Sequence, residues 1–167
     1  MTIDRIYLLG FMGAGKSTVG RELSHQLHWP FFDLDTEIQK AEGVPLKVIF
    51  ERDGEPRFRE IEREHLRDLS TRPQGVIALG GGAYVDPVNR ALVESTGLSV
   101  WLDASFAALR RRVRPDGSRP LWSDPEKALQ LYEERRPTYR LAQLCLSTDN
   151  RLPDDIAAEI VRKVLGT

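Results

Sequence analysis

Gly10-Phe11-Met12-Gly13-Ala14-Gly15-Lys16-Ser17 stands between an apolar run, Ile6-Tyr7-Leu8-Leu9, and a stretch that opens Thr18-Val19-Gly20-Arg21-Glu22-Leu23. The octet fits G-x-x-x-x-G-K-[ST], and its flanks read as a buried strand before it and a helix after it. Glycines let the backbone wrap a phosphate chain with its N–H groups turned inward. The helix start adds a dipole that favours anions. At this spacing Lys16 meets the β- and γ-phosphates and the Ser17 hydroxyl reaches a magnesium ion. The other reading is a glycine-rich turn before a helix, and the strand–loop–helix context argues against it. The loop implies a bound nucleoside triphosphate and leaves open where its phosphate goes.

Outward from the loop, apolar runs alternate with amphipathic ones. Residues 5–9, 31–34, 75–79, 98–102 and 143–147 read as strands, several of them continuously apolar, as in a sheet covered on both faces. Residues 16–27, 35–42, 45–53, 55–70, 86–96, 104–113, 125–135 and 153–165 read as helices. The alternation points to an α/β fold with a mostly parallel sheet. Two stretches break it. About forty residues of helical pattern separate the second and third strands, more than one crossover needs. Arg114 to Pro125 is rich in proline and carries Arg114 and Arg119. It is either a surface loop or a lid that brings positive charge to a transferring phosphate.

The chain has 167 residues, 41% hydrophobic and 29% charged, with a net charge of −1. These values suit one soluble domain and argue against bulk electrostatic binding to nucleic acid or an anionic membrane. No apolar stretch is long enough to span a bilayer. Met1-Thr2-Ile3-Asp4 leads into the first strand without room for a signal peptide, so a reducing cytoplasm is expected. Cys145, the single cysteine, reads as core packing. His25, His28 and His65 show no ligand spacing.

Asp33-Leu34-Asp35 ends the second strand candidate. Strand alternation would put both carboxylates on one face at the ligand-binding end of the sheet. One could support a metal and the other take a proton from an attacking hydroxyl. The alternative makes Asp35 a helix N-cap. Gly80-Gly81-Gly82 removes side chains where a strand ends, so something approaches the backbone there; a tight turn is the other reading. No acid stands at that point, which leaves Asp33 to support the metal. Glu55 and Pro56 open a charged helix on which Arg59 and Glu62 can pair. Arg110-Arg111-Arg112 reads as a solvated helix face or a nucleotide contact.

Together GFMGAGKS, FFDLD, GEPRFRE, LGGGA, SRPL and the late PTYR, in this order nearly end to end, resemble the shikimate kinase family. The resemblance implies a P-loop, nucleoside-monophosphate-kinase-like three-layer α/β fold over residues 1–167. It has a five-stranded parallel sheet, a helical substrate-binding insertion at about 35–72 and a lid at about 114–125. It implies transfer of the γ-phosphoryl group of ATP to the 3-hydroxyl of shikimate with Mg²⁺, on the route to aromatic amino acids. Asp35, Lys16 and Arg119 would be catalytic. Gly13, Ala14, Gly15, Lys16, Ser17, Thr18, Arg112, Arg119 and Arg151 would hold ATP, and Ser17 and Asp33 the metal, Asp33 through water. Asp35, Arg59, Arg140, Gly80, Gly81, Gly82, Phe50 and Phe58 would hold shikimate. The expected partners are these small molecules, with no nucleic acid or membrane, and the expected state is a monomer. A gluconate-type kinase and a non-catalytic nucleotide-binding protein of the same fold are the rival readings.

Overall fold

Ile6, Tyr7, Leu8 and Leu9 are fully buried, as the middle strand of a doubly covered sheet requires. Each such side chain contributes roughly 1.5–3 kcal/mol on burial. Their strand, β1 (Arg5–Leu9), pairs in parallel with β3 (Gly75–Ala78) on one side and β4 (Leu98–Asp103) on the other. β2 (Phe31–Asp33) and β5 (Leu144–Ser147) complete the parallel sheet, in the order β2-β3-β1-β4-β5. The computed structural model describes residues 2–112 and 120–166.

The helices are α1 (Lys16–Leu27), α2 (Leu34–Glu42), α3 (Leu46–Ser70), α4 (Pro87–Thr96), α5 (Phe106–Arg112), α6 (Pro125–Tyr139) and α7 (Pro153–Leu165). α1 packs on α7, and α2 packs on α3. Proline in the first turn of α4, α6 and α7 costs no hydrogen bond there. Among the described residues no helix is long and apolar enough to cross a membrane.

The helices expected at 45–53 and 55–70 are both present within α3 and meet at a kink at Gly54, whose φ of 82° and ψ of 166° are not helical. Three local expectations change. α6 runs past Arg135 to Tyr139 with Pro137 inside it. The buried Ala128, Tyr132 and Tyr139 anchor it against the cost of that proline. The second strand stops at Asp33 and α2 begins at Leu34, so Asp35 lies in a first helical turn instead of alternating along a strand. The N-cap is Asp33, whose carboxylate accepts from the Thr36 N–H at 3.2 Å. Cys145 is exposed, because β5 is an edge strand and Leu146 takes the inward position.

Candidate active site

The loop between β1 and α1 carries Gly13 and Gly15 at φ of 92° and 94°, in the left-handed region that glycine tolerates best. Gly15 is the N-cap of α1 and offers no side chain, so the first-turn amides stay open to an anion. Lys16 Nζ donates to the carbonyls of Gly10 at 2.6 Å and Phe11 at 3.2 Å, which folds the ammonium over the loop. A cavity of about 670 Å³ opens here. Gly13, Ala14, Gly15, Lys16, Ser17 and Thr18 line it, with Asp33, Asp35, Gly80, Gly81, Arg112 and Arg151. Arg112 donates to the Gly13 carbonyl at 3.1 Å, and Arg151 pairs with Glu159 at 2.6 Å. Both arginines named from the sequence therefore reach the nucleotide-sized cavity. Thr148, which the sequence did not single out, also lines it, with a buried hydroxyl that has no protein partner.

Ser17 Oγ donates to Asp33 Oδ2 at 2.7 Å beside Lys16. Two hard oxygens at the foot of a phosphate-binding loop fit Mg²⁺, which takes few protein ligands and keeps much of its water. The same Asp33 carboxylate caps α2, so its position is fixed from two sides.

The acceptor side forms around Gly80-Gly81-Gly82, and each glycine meets a different charged side chain. A methyl group on Gly80 would lie 2.8 Å from Asp35 Oδ1, on Gly81 2.8 Å from Arg135 Nη1, and on Gly82 2.7 Å from Arg59 Nη2. The glycines thus let one carboxylate and two guanidinium groups close on the backbone. Burial pushes the Asp35 carboxyl above its ordinary range, Asp33 adds to that, and Lys16 and Arg59 oppose it. Arg59 is held by Glu62 at 2.8 Å and by Glu55 at 3.7 Å. Glu62 is 1% exposed, and burial raises its pKa despite the charge of Arg59. Phe50 and Phe58 stack at 4.3 Å, with Phe58 buried and Phe50 exposed, and the Arg59 guanidinium lies over Phe58 at 5.3 Å.

Arg140 is not among the side chains nearest the three glycines. It is exposed and caps the C-terminus of α6, where its backbone N–H bonds to Arg136. Arg135, five residues earlier, lies roughly 140° away around the helix and faces Gly81. Arg136 turns elsewhere, to Asp103 at 2.9 Å. Arg135 falls inside the helix expected at 125–135, on an element already read, and the PTYR segment pointed to Arg140 instead. Arg119 and the part of the expected lid before Pro120 lie outside the described residues.

A family model described as shikimate kinase matches residues 12–165. The shikimate kinase of Sulfurihydrogenibium sp. (strain YO3AOP1) is 42% identical over 163 residues, covering 97% of this chain and 98% of that protein. That of Geobacter metallireducens (strain ATCC 53774 / DSM 7210 / GS-15) is 40% identical, covering 99% and 94%. Among solved structures, a shikimate kinase from Acinetobacter baumannii in complex with shikimate superposes with a TM-score of 0.92 at 36% identity, over 99% of this chain and 94% of that one.

Proposed function

The chain belongs to the shikimate kinase family and is an ATP-dependent kinase of shikimate, and we propose the following assignment of its residues. One juxtaposition carries it. Asp35 lies against Gly80 in the cavity that holds Lys16, while Arg59 and Arg135 close on the next two glycines.

Arg59 and Arg135 bind the shikimate carboxylate, since planar guanidinium groups give directed, charge-assisted bonds. The Gly80–Gly82 backbone, Phe50 and Phe58 bound the ring. Asp35 orients the 3-hydroxyl and takes its proton at a carboxylate oxygen. The freed oxygen forms the new bond to the γ-phosphorus as the bond from that phosphorus to the β,γ-bridging oxygen breaks, which gives 3-phosphoshikimate and ADP. Gly13, Ala14, Gly15, Lys16, Ser17 and Thr18 hold the phosphates, and Arg112 and Arg151 flank the base. Ser17 and Asp33 would hold Mg²⁺, which when bound supplies positive charge at the β- and γ-phosphates. Such transfers depend on positioning and positive charge more than on covalent help. Arg119 as a second cation on the phosphate, the lid around it and the substrate-binding role of residues 35–72 rest on the sequence pattern together with the family resemblance. A single domain over 1–167, a monomer and a cytoplasmic site are likewise read from the sequence.

A coupled ADP assay tests the reading. Mg-ATP with shikimate should release ADP, and gluconate or nucleoside monophosphates in its place should not. Absence of shikimate-dependent ADP would overturn it.

A further inference from the structure

Tyr139 is 2% exposed, and its hydroxyl donates to the Gly81 carbonyl at 2.5 Å. The phenol packs on Trp101, with ring centroids 5.9 Å apart, so its reach toward the glycine turn is fixed by the core. Arg135 lies one turn earlier on α6, on the same side, with its guanidinium against Gly81. Tyr139 and Arg135 therefore grip a single residue from one helix. Burial pushes the Tyr139 hydroxyl up to about 12, against the lowering charge of Arg135, so it stays a proton donor at working pH.

The peptide joining Gly81 and Gly82 is trans and planar, so its N–H points opposite to its carbonyl. A hydroxyl that holds the Gly81 carbonyl toward α6 turns the Gly82 N–H away from α6. No acceptor among the described residues takes that N–H. Neighbouring bonds hold the rest of the segment: Asn89 donates to the Ala83 carbonyl at 3.1 Å, and Arg63 pairs with Asp86 at 2.6 Å. Among the described residues, only the Tyr139 bond fixes the peptide between Gly81 and Gly82 directly.

We propose that Tyr139 is a positioning residue for the acceptor: it sets the Gly81–Gly82 peptide in register with the Arg135 guanidinium, so that one backbone donor and one charge meet the substrate together. The proposal rests on the reading of Arg135 as a carboxylate ligand. It gives the tyrosine of the PTYR segment a role apart from the chemistry, one that changes how shikimate is held and not how fast it reacts.

Tyr139→Phe removes the hydroxyl and keeps the ring. The KM for shikimate should rise about tenfold, the loss expected for one buried hydrogen bond, while kcat and the KM for ATP stay within about twofold. In an Arg135→Ala background the same substitution should add less than about twofold, because the register it keeps no longer has a second member. An unchanged shikimate KM, or an equal rise in both backgrounds, overturns the proposal. Arg135→Ala alone separates the two claims. If it raises the shikimate KM and Tyr139→Phe does not, only the positioning role fails; if it leaves that KM unchanged, the carboxylate reading fails. Should Tyr139→Phe not fold, the wild-type protein labelled with 3-fluorotyrosine gives a second readout, since the chain has only 4 tyrosines to assign. The Tyr139 fluorine resonance should move on saturation with shikimate and stay in place with ADP, and the reverse pattern overturns the proposal.

Discussion

Asp35 carries its charge where the surroundings disfavour it. Burial raises its pKa, the neighbouring Asp33 raises it further, and Lys16 and Arg59 only partly offset both. A base needs that upward tuning, because a carboxylate in the ordinary range is a weak proton acceptor at neutral pH. The same shift costs stability. A carboxyl that binds its proton more tightly in the folded state lends stability below the ordinary carboxylate range and loses it as pH rises through the folded pKa. At neutral pH ionised Asp35 therefore works against folding. Asp35→Asn should raise Tm at neutral pH, and the gain should shrink as the buffer is taken down through the folded pKa. The same variant should lose about 10²- to 10⁴-fold in kcat while the KM for ATP stays near wild type. In the wild type, kcat/KM for shikimate should fall on the acid side with an apparent pKa above the usual ~3.9 of aspartate. Calorimetry across that range, beside steady-state kinetics, checks both halves. A variant with wild-type turnover would remove Asp35 as the base.

The Gly80–Gly82 turn separates catalysis from binding along three consecutive residues. A methyl group on Gly80 would press on Asp35, the proposed base, whereas one on Gly82 would press on the Arg59 guanidinium, a substrate ligand. Gly80→Ala should thus act mainly on kcat, and Gly82→Ala mainly on the shikimate KM. Gly43→Ala is the control. That residue has a φ of 73° and open space around its Cβ, so the substitution should cost about 1 kcal/mol of stability and leave the kinetics alone. If Gly80→Ala and Gly82→Ala shift kcat and KM alike, the turn acts as a single structural unit. The sequence showed that something approaches these glycines, because bare backbone at the end of a buried strand is a local signal. It could not show which side chains approach, since Asp35, Arg59 and Arg135 arrive from α2, α3 and α6. The P-loop was readable for the opposite reason: the strand, the loop and the helix dipole that make it are contiguous. Asp33 and Asp35 were found through an alternation that ends one residue too early, and they still share the cavity because α2 turns Asp35 back toward it. Arg135 lay on a helix already expected at 125–135, but which side chain faces Gly81 depends on how α6 packs against the glycine turn, and the PTYR segment pointed to Arg140.

At the scale of the molecule, the sheet order β2-β3-β1-β4-β5 puts β1 between β3 and β4, and β3 next to β2. Because the strands are parallel, the P-loop after β1, Asp33 at the end of β2 and the glycines after β3 emerge at one edge. Donor and acceptor groups thus come from well-separated parts of the chain, and each ligand ties several elements together. A ligand at about one hundred times its Kd stabilises the folded state by about 2.7 kcal/mol. For a chain of this size that is a rise in Tm of about 5–11 °C. Mg-ADP and shikimate should each give such a shift. Arg135→Ala should abolish the shikimate shift and keep that of Mg-ADP, and Arg140→Ala should keep both, since Arg140 is exposed at the end of α6. Duplex DNA and anionic vesicles should shift nothing, because the net charge of −1 gives no broad attraction for polyanions. Thermal scans of the three proteins with each additive separate the alternatives: loss of the shikimate shift in Arg140→Ala, with the shift intact in Arg135→Ala, would return the carboxylate to the residue first named from the sequence.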